Sequence, residues 1–229
     1  MEEESRFGRF LTNVLSSVNV GVSAIEREPL AGIIALCFEG AQNIVDHANK
    51  KPFPRESLFT YLAVRYYKKL FRSDDGPLST YIKHGSRELG TDREWIEILL
   101  NDDGVGIPGR HSQSLDIYRG RLADEEQVLE LALHRSSVKV RAGDSKVRGG
   151  IAGEGFTHIR SSLRRLKAFA AIRTGRCFAT FDGLASHQDR FRLNRDRFGL
   201  PLGYMPGTAL HVVIPLPHAR DIQQHFDLS

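Results

Sequence analysis

Cysteine, tryptophan and clustered metal-binding side chains are scarce in this chain. Its 229 residues include 2 cysteines and 1 tryptophan. Cys37 and Cys177 lie far apart, without the CxxC or His/Cys spacing of a zinc site, and the 9 histidines form no HxxxH pair. We therefore expect two reduced thiols in the core and no zinc centre.

Long apolar runs are also missing. The longest strongly apolar run, residues 30–38, is far shorter than the roughly 20 residues that a membrane-spanning helix needs. The first residues, MEEESR, are acidic where a secretory signal would be basic and then apolar. These absences predict a cytoplasmic protein without membrane contact.

Charge of one sign is not in large excess. The formal net charge is +4, from 32 Lys and Arg against 28 Asp and Glu. Two basic runs stand out, one at residues 160–167 and one at residues 190–197, and solvated surface faces explain them better than a nucleic-acid interface. We therefore do not expect nucleic acid as a partner, whereas a nucleotide needs only a local excess of positive charge.

Hydrophobic periodicity predicts an α/β chain, and its length fits one domain over residues 1–229. Apolar residues recur at helical spacing over residues 7–26, 30–48, 78–89, 124–134 and 156–169. Strands are predicted over residues 58–67, 95–100 and 209–216, and as a pair within residues 170–180.

Three segments carry residues suited to phosphate chemistry. On the helix over residues 30–48, Glu39 and Asn43 are four residues apart and share a face, with Asp46 one turn further along. An Asn carbonyl can ligate Mg²⁺, and a carboxylate can orient or deprotonate a nucleophile. Taken alone, a solvated helix face is the commoner explanation of such a pattern.

The other two segments are rich in glycine. Residues 102–108, DDGVGIP, follow a predicted strand, which would place Asp102 at the strand end, in a crevice where its carboxylate could accept a hydrogen bond from an exocyclic amine. Residues 149–156, GGIAGEGF, lead into a helix, whose free backbone N–H groups could bind phosphate. A plain Asp-Gly turn and a plain hinge are the alternatives for the separate pieces.

Together these segments resemble the motifs of the GHKL ATPases, the superfamily of DNA gyrase, heat-shock chaperones, histidine kinases and MutL. Residues 38–48, FEGAQNIVDHA, resemble the N box, and residues 102–108 resemble the G1 box, DxGxG. Residues 149–156 resemble the G2 box, and Gly207-Thr208 resembles the Gly-Thr pair that often closes the domain. Motif order and rough spacing agree along residues 30–216.

The resemblance implies a Bergerat fold, which is a two-layer α/β sandwich with a mixed sheet and helices on one face, and it implies ATP and Mg²⁺ as cofactors. Glu39 would act on the attacking water or hydroxyl, Asn43 would bind Mg²⁺, and Asp102 would bind the adenine amino group. The remaining nucleotide-binding positions would be Asp46, Gly104, Gly106, Ile107, Gly153, Gly155, Phe156 and Thr208. Among these, Gly104 and Gly106 would line the base, Gly153 and Gly155 the phosphates, and Thr208 would support Asp102 through a water.

The resemblance also implies an ATP lid over residues 109–152. Because residues 109–150 are polar and rich in glycine, we expect them to be loosely held without nucleotide and ordered by ATP. Two departures from the family pattern are Ile151, where the G2 box usually has a glycine, and a long segment between the first two boxes over residues 69–93.

Three functions stay open on the sequence. The first is an ATP hydrolase that acts as a conformational switch for a protein partner, which Glu39 favours. The second is a stand-alone serine/threonine protein kinase similar to the bacterial anti-sigma factor kinases. The third is a non-catalytic ATP-binding regulatory module, which Ile151 and the expected absence of a transducer domain favour.

Overall fold

The structure is a computed structural model that describes residues 2–17, 27–44, 59–70, 75–90, 93–134, 155–186, 190–194 and 202–216. Its helices are α1 (Glu2–Ser17), α2 (Arg27–Asn43), α3 (Pro77–Leu89), α4 (Gly106–Ser112), α5 (Leu122–His134) and α6 (Gly155–Arg165). Its strands are β1 (Thr60–Tyr67), β2 (Trp95–Asp102), β3 (Phe169–Gly175), β4 (Cys177–Asp182), β5 (Arg192–Leu193) and β6 (Met205–Pro215). None of these helices combines the length and the apolar character that crossing a bilayer requires.

The strands form one sheet in the order β1-β2-β6-β3-β4-β5, and each pairing is antiparallel. The expected two-layer α/β sandwich is confirmed, but the expected mixed sheet is wrong for the described strands. The expectation of a mixed sheet came from short motifs. Such motifs show the order of the glycine turns along the chain, but not whether neighbouring strands run parallel or antiparallel.

Most helices cover one face of this sheet. Alternate residues of a strand point to opposite faces, so Ile96, Ile98 and Leu100 of β2 share a face. These three side chains are buried in one core together with apolar residues of α1, α2, α5 and α6. The two buried thiols, Cys37 and Cys177, lie in the same core, and burial raises the pKa of Cys37 to about 12.

The opposite face is not bare, which corrects the expectation of helices on one face only. Tyr81 of α3 packs against Trp95 and Phe169, with ring centroids 6.0 and 5.4 Å apart. Trp95 and Phe169 alternate with the residues of the main core, so α3 lies on the other side of the sheet. The long segment between the first two boxes therefore contributes a helix that covers part of this face.

The described part of the segment expected to be a loose lid, residues 109–134, is folded. After α4, a short 3₁₀ helix (Leu115–Tyr118) leads into α5, whose Leu129 and Leu133 are buried in the main core. Glu125 of α5 is fully buried and accepts a hydrogen bond from Arg176 Nε at 2.9 Å. The expectation of a loosely held segment is wrong for residues 109–134 because these contacts fix α5 to the β3–β4 turn. Residues 135–152 lie outside the described residues.

Replacement of Glu125 by Gln tests this attachment. The amide leaves Arg176 without its buried counter-charge, so the free energy of unfolding should fall by about 3 kcal/mol. This value is at the low end for a broken buried ion pair, because the Arg176 side chain is 22% exposed and water can solvate it. Urea unfolding measures the change. Glu130→Gln, at an exposed position of the same helix, is the control and should change stability by less than about 0.5 kcal/mol. Equal stability of both variants would show that the ion pair does not hold α5.

Candidate functional site

Asp102 lies at the end of β2 and is 4% exposed. Its Oδ1 accepts a hydrogen bond from the backbone N–H of Gly104 at 2.8 Å, which closes a tight turn of the kind Asp favours after a strand. The G1 box therefore begins with a buried carboxylate whose position is fixed by its own glycine turn.

Three polar side chains form a row across the central strands. Asp102 of β2 is the register partner of Thr208 of β6, and Thr208 is the register partner of Thr174 of β3. Directly paired residues project on the same face of a sheet, here the face covered by α2 and α6. The resemblance implied that Thr208 supports Asp102, and in the structure the two residues are directly paired in the sheet.

Thr174 fixes the backbone that follows Asp102. Its hydroxyl accepts a hydrogen bond from Ile107 N–H at 3.0 Å and donates one to the Gly207 carbonyl at 2.9 Å. The Thr208 hydroxyl is 3.3 Å away. Thr174 thus joins the G1 turn to the Gly-Thr pair. Sequence reasoning missed Thr174, and a threonine at the end of a predicted strand offers no signal that could have identified it.

Tyr118 holds the same turn from the 3₁₀ helix that follows α4. Its hydroxyl donates to the Val105 carbonyl at 2.6 Å and accepts from Gly109 N–H at 2.8 Å. Burial raises the pKa of Tyr118 well above its usual value, so the hydroxyl keeps its proton and remains a donor. Tyr118 was also missed, because it lies in a polar stretch that was interpreted as loosely held.

Glycine is required at Gly106 and Gly207. Gly106 has φ +70°, and a β-carbon there would lie 2.6 Å from the Tyr118 hydroxyl and 2.8 Å from Thr174 Oγ1. Gly207 has φ +74°, and a β-carbon there would overlap the carbonyl of Asp102. Both positions combine a left-handed backbone with close approach, which only glycine accommodates without strain.

The C-terminal end of α2 lies over the same end of the sheet. A β-carbon at Gly40 would be 2.5 Å from Leu100 and 3.6 Å from Leu210, which lie two residues from Asp102 and Thr208 in their strands. Glu39 and Asn43 therefore occupy the part of α2 nearest to the polar row. Instead of facing solvent opposite the apolar stripe, both are half-buried.

Glu39 faces α6. Its Oε1 is 3.3 Å from His158 Nδ1, and the Glu39 side chain is 28% exposed. Near the start of α2, a β-carbon added to Gly32 would lie 3.2 Å from Leu166, just after the end of α6. The two helices therefore run antiparallel, and the start of α6 lies beside the end of α2. Sequence analysis did not single out His158, and its pairing with Glu39 was missed.

The described residues include only part of the N and G2 boxes. Asn43, Gly155 and Phe156 are described, and Phe156 packs against the main core at the start of α6. Asp46 and Gly153 lie outside the described residues. The structure therefore brings together Glu39, Asn43, Asp102, Gly104, Gly106, Ile107, Gly155, Phe156 and Thr208 at one end of the sandwich.

The side chains present fit a Mg²⁺–phosphate group better than a protein-enclosed metal site. Asn43 Nδ2 is buried and has no hydrogen-bond partner among the described residues, which leaves an amide at the site able to turn its oxygen or its nitrogen to a ligand. In the described part of the chain, no three His, Cys, Asp or Glu side chains cluster as metal ligands. Mg²⁺ typically takes one or two protein oxygens and completes its shell with phosphate and water, so one amide suffices.

Comparison of the sequence with protein-family models and with curated proteins gives no match.

Replacement of Gly207 by Ala tests the G1 turn. The added β-carbon meets the Asp102 carbonyl and needs a positive φ, so the free energy of unfolding should fall by about 2–3 kcal/mol. Gly203→Ala is the matched control, because Gly203 has open space around it and no left-handed φ, and it should be neutral within about 0.5 kcal/mol. Chemical denaturation measures both, and a neutral Gly207→Ala variant would contradict the close approach of β6 to Asp102.

Proposed function

We propose that this chain is a Mg²⁺-dependent ATP-binding protein of the GHKL type, which hydrolyses ATP as a conformational switch for a protein partner in the cytoplasm. The observation that supports it best is the convergence of the motifs. Residues separated by more than one hundred positions in sequence, from Glu39 to Thr208, lie at one end of the sheet. Turns and helix faces without a common function would not be expected to lie together in this way.

The buried carboxylate of Asp102 is the adenine-recognising group of this proposal. One carboxylate oxygen is held by Gly104 N–H, which fixes the plane of the group before a ligand arrives. A carboxylate accepts and does not donate, so it selects a base with an exocyclic amine over one with a carbonyl at the same place. The Thr174 and Tyr118 hydrogen bonds keep this turn rigid, which lowers the ordering cost of binding.

Asn43 and the start of α6 form the phosphate end of the proposed site. Asn43 would hold the metal through its amide oxygen, and bound Mg²⁺ would neutralise phosphate charge. Gly155 opens α6, where the first backbone N–H groups of a helix have no intrahelical partner and favour an anion. The side of α6 that bears His158 faces α2, so the two helices frame the space for the phosphates.

Glu39 is the catalytic residue of the proposal. Its carboxylate would take the proton of the attacking water at a carboxylate oxygen, and His158 would hold that carboxylate through a Nδ1–H donor. This hydrogen bond restricts the rotamers of the Glu39 side chain, which is 28% exposed. His158 is a positioning residue, since it touches Glu39 and not the nucleotide.

Replacement of Asp102 by Asn tests the adenine assignment. Asn keeps an oxygen for Gly104 N–H but replaces the acceptor carboxylate, so ATP affinity should fall about 10- to 100-fold, the range for a hydrogen bond to a charged group. Asp103→Asn is the matched control: it removes the same charge one residue away, where Oδ1 accepts from Phe59 N–H at 2.9 Å, and it should bind ATP like the wild type. Calorimetric titration with native circular dichroism decides, and unchanged ATP affinity in Asp102→Asn would remove the assignment.

Replacement of Glu39 by Gln tests hydrolysis. The variant should bind ATP and Mg²⁺ normally and lose turnover by on the order of 10²–10⁴, the usual contribution of a positioned base. Glu88→Gln is the control, because Glu88 also pairs with a histidine, His84 at 2.8 Å, but on α3 across the sheet. Turnover is measured with labelled ATP.

The same assay separates the three functions. Label released as free phosphate by the wild type supports the switch. Transfer of the label to a serine or threonine of a protein would show that the chain is a protein kinase and not a hydrolase. Binding without turnover, and no difference between Glu39→Gln and wild type, replaces it with a non-catalytic module.

A further inference from the structure

A groove follows the side of α6 that faces away from α2. Thr157, Arg160, Ser161, Arg164 and Phe181 line it, and its volume is about 260 Å³. The four α6 residues recur at intervals of three and four and so form one face of the helix. This volume is just below the roughly 300–1,000 Å³ of small-molecule pockets, so the size suits one small ligand. We call these five residues the basic groove.

A second basic segment meets the basic groove. Burial lowers the pKa of His134 on α5, and the positive charges of Arg160 and Arg190 lower it further. Two arginines from separate parts of the chain therefore act on one imidazole. The ring of Phe191, the residue after Arg190, packs 5.5 Å from the ring of Phe181 in the groove. The described start of the second basic run, residues 190–194, thus lies next to the groove.

Hydrogen-bonding groups accompany these charges. Arg160 Nη2 donates to Thr157 Oγ1 at 3.4 Å, which orients the guanidinium beside a hydroxyl. His134 Nδ1 is buried and has no hydrogen-bond partner among the described residues, although Glu130 on the same helix favours the charged ring. Nδ1 of His134 is therefore open to one further polar group, while the ring also makes a hydrogen bond to the backbone of Phe191.

We propose that the basic groove binds the phosphate of a small phosphorylated ligand. A guanidinium pairs with two phosphate oxygens at once, and the dianion has three such oxygens to share between Arg160, Arg164 and the hydroxyls of Thr157 and Ser161. A carboxylate has only two oxygens and matches this set of four side chains less well. The site is separate from the proposed ATP site, because His158 and Glu39 meet on the other side of α6.

The test titrates the whole protein with inorganic phosphate, and separately with free phosphoserine, at constant ionic strength. Replacement of Arg164 by Gln should raise the Kd for phosphate about 10- to 100-fold, as expected for loss of a charge-assisted hydrogen bond. Arg165→Gln is the matched control, because it removes the same charge from the next residue. The Arg165 guanidinium faces α2, where it would lie 3.4 Å from a β-carbon added to Gly32, so the Kd of this variant for phosphate should match that of the wild type. Amide shifts at residues 157–164 locate the bound phosphate, and circular dichroism confirms that both variants fold.

Each other outcome overturns the proposal in a distinct way. Equal loss of affinity in the Arg164→Gln and Arg165→Gln variants would show general electrostatic attraction and no site. Phosphate binding that disappears in Asn43→Ala but persists in Arg164→Gln would belong to the phosphate end of the ATP site. Tight, strongly salt-dependent binding of a DNA or RNA oligonucleotide without binding of inorganic phosphate would make the face a polynucleotide surface. Because the wild-type titration needs no ATP binding, failure of the proposed ATP function leaves this test intact.

Discussion

The candidate site depends on the antiparallel register of β2, β6 and β3. This register places Asp102, Thr208 and Thr174 side by side on one face of the sheet. A shift of one residue in any of these strands would turn its polar side chain to the opposite face, where α3 packs part of the sheet. The register is fixed by burial on both faces, because residues of β2 and β6 alternate between the main core and the aromatic cluster under α3.

Helix α3 therefore matters for a site that it does not touch. Its Tyr81 donates a hydrogen bond to the Lys167 carbonyl at 2.6 Å, in the reversal between α6 and β3. That reversal holds the end of α6, the helix that bears His158 beside Glu39, next to the start of β3. Packing on the outer face of the sheet and the geometry of the inner face are linked through one short connection.

Helix α6 presents different polar residues on its two sides. One side bears His158 against Glu39, and the other bears Arg160 and Arg164 in the basic groove. A rigid helix transmits a small rotation to both sides at once, so a ligand in the groove and a nucleotide at the other side would act on the same element. Glu125 restrains the neighbouring α5 by its buried ion pair, which leaves α6 between two anchored helices, α2 and α5.

The sequence determined the local structure well wherever a local signal was strong. Hydrophobic periodicity located α2, α3, α5 and the central strands, and the Asp-Gly motif located the turn at Asp102, because those signals arise from residues close together in the chain. It did not reveal α4 or the attachment of α5 and the 3₁₀ helix to the rest of the fold, since Glu125 and Tyr118 look like polar surface residues until Arg176 and Val105 come within hydrogen-bonding distance. Strand direction, the role of Thr174 and the pairing of His158 with Glu39 were decided only by the tertiary structure. Each depends on which distant segment lies opposite, and that choice follows from how the whole chain buries its apolar surface.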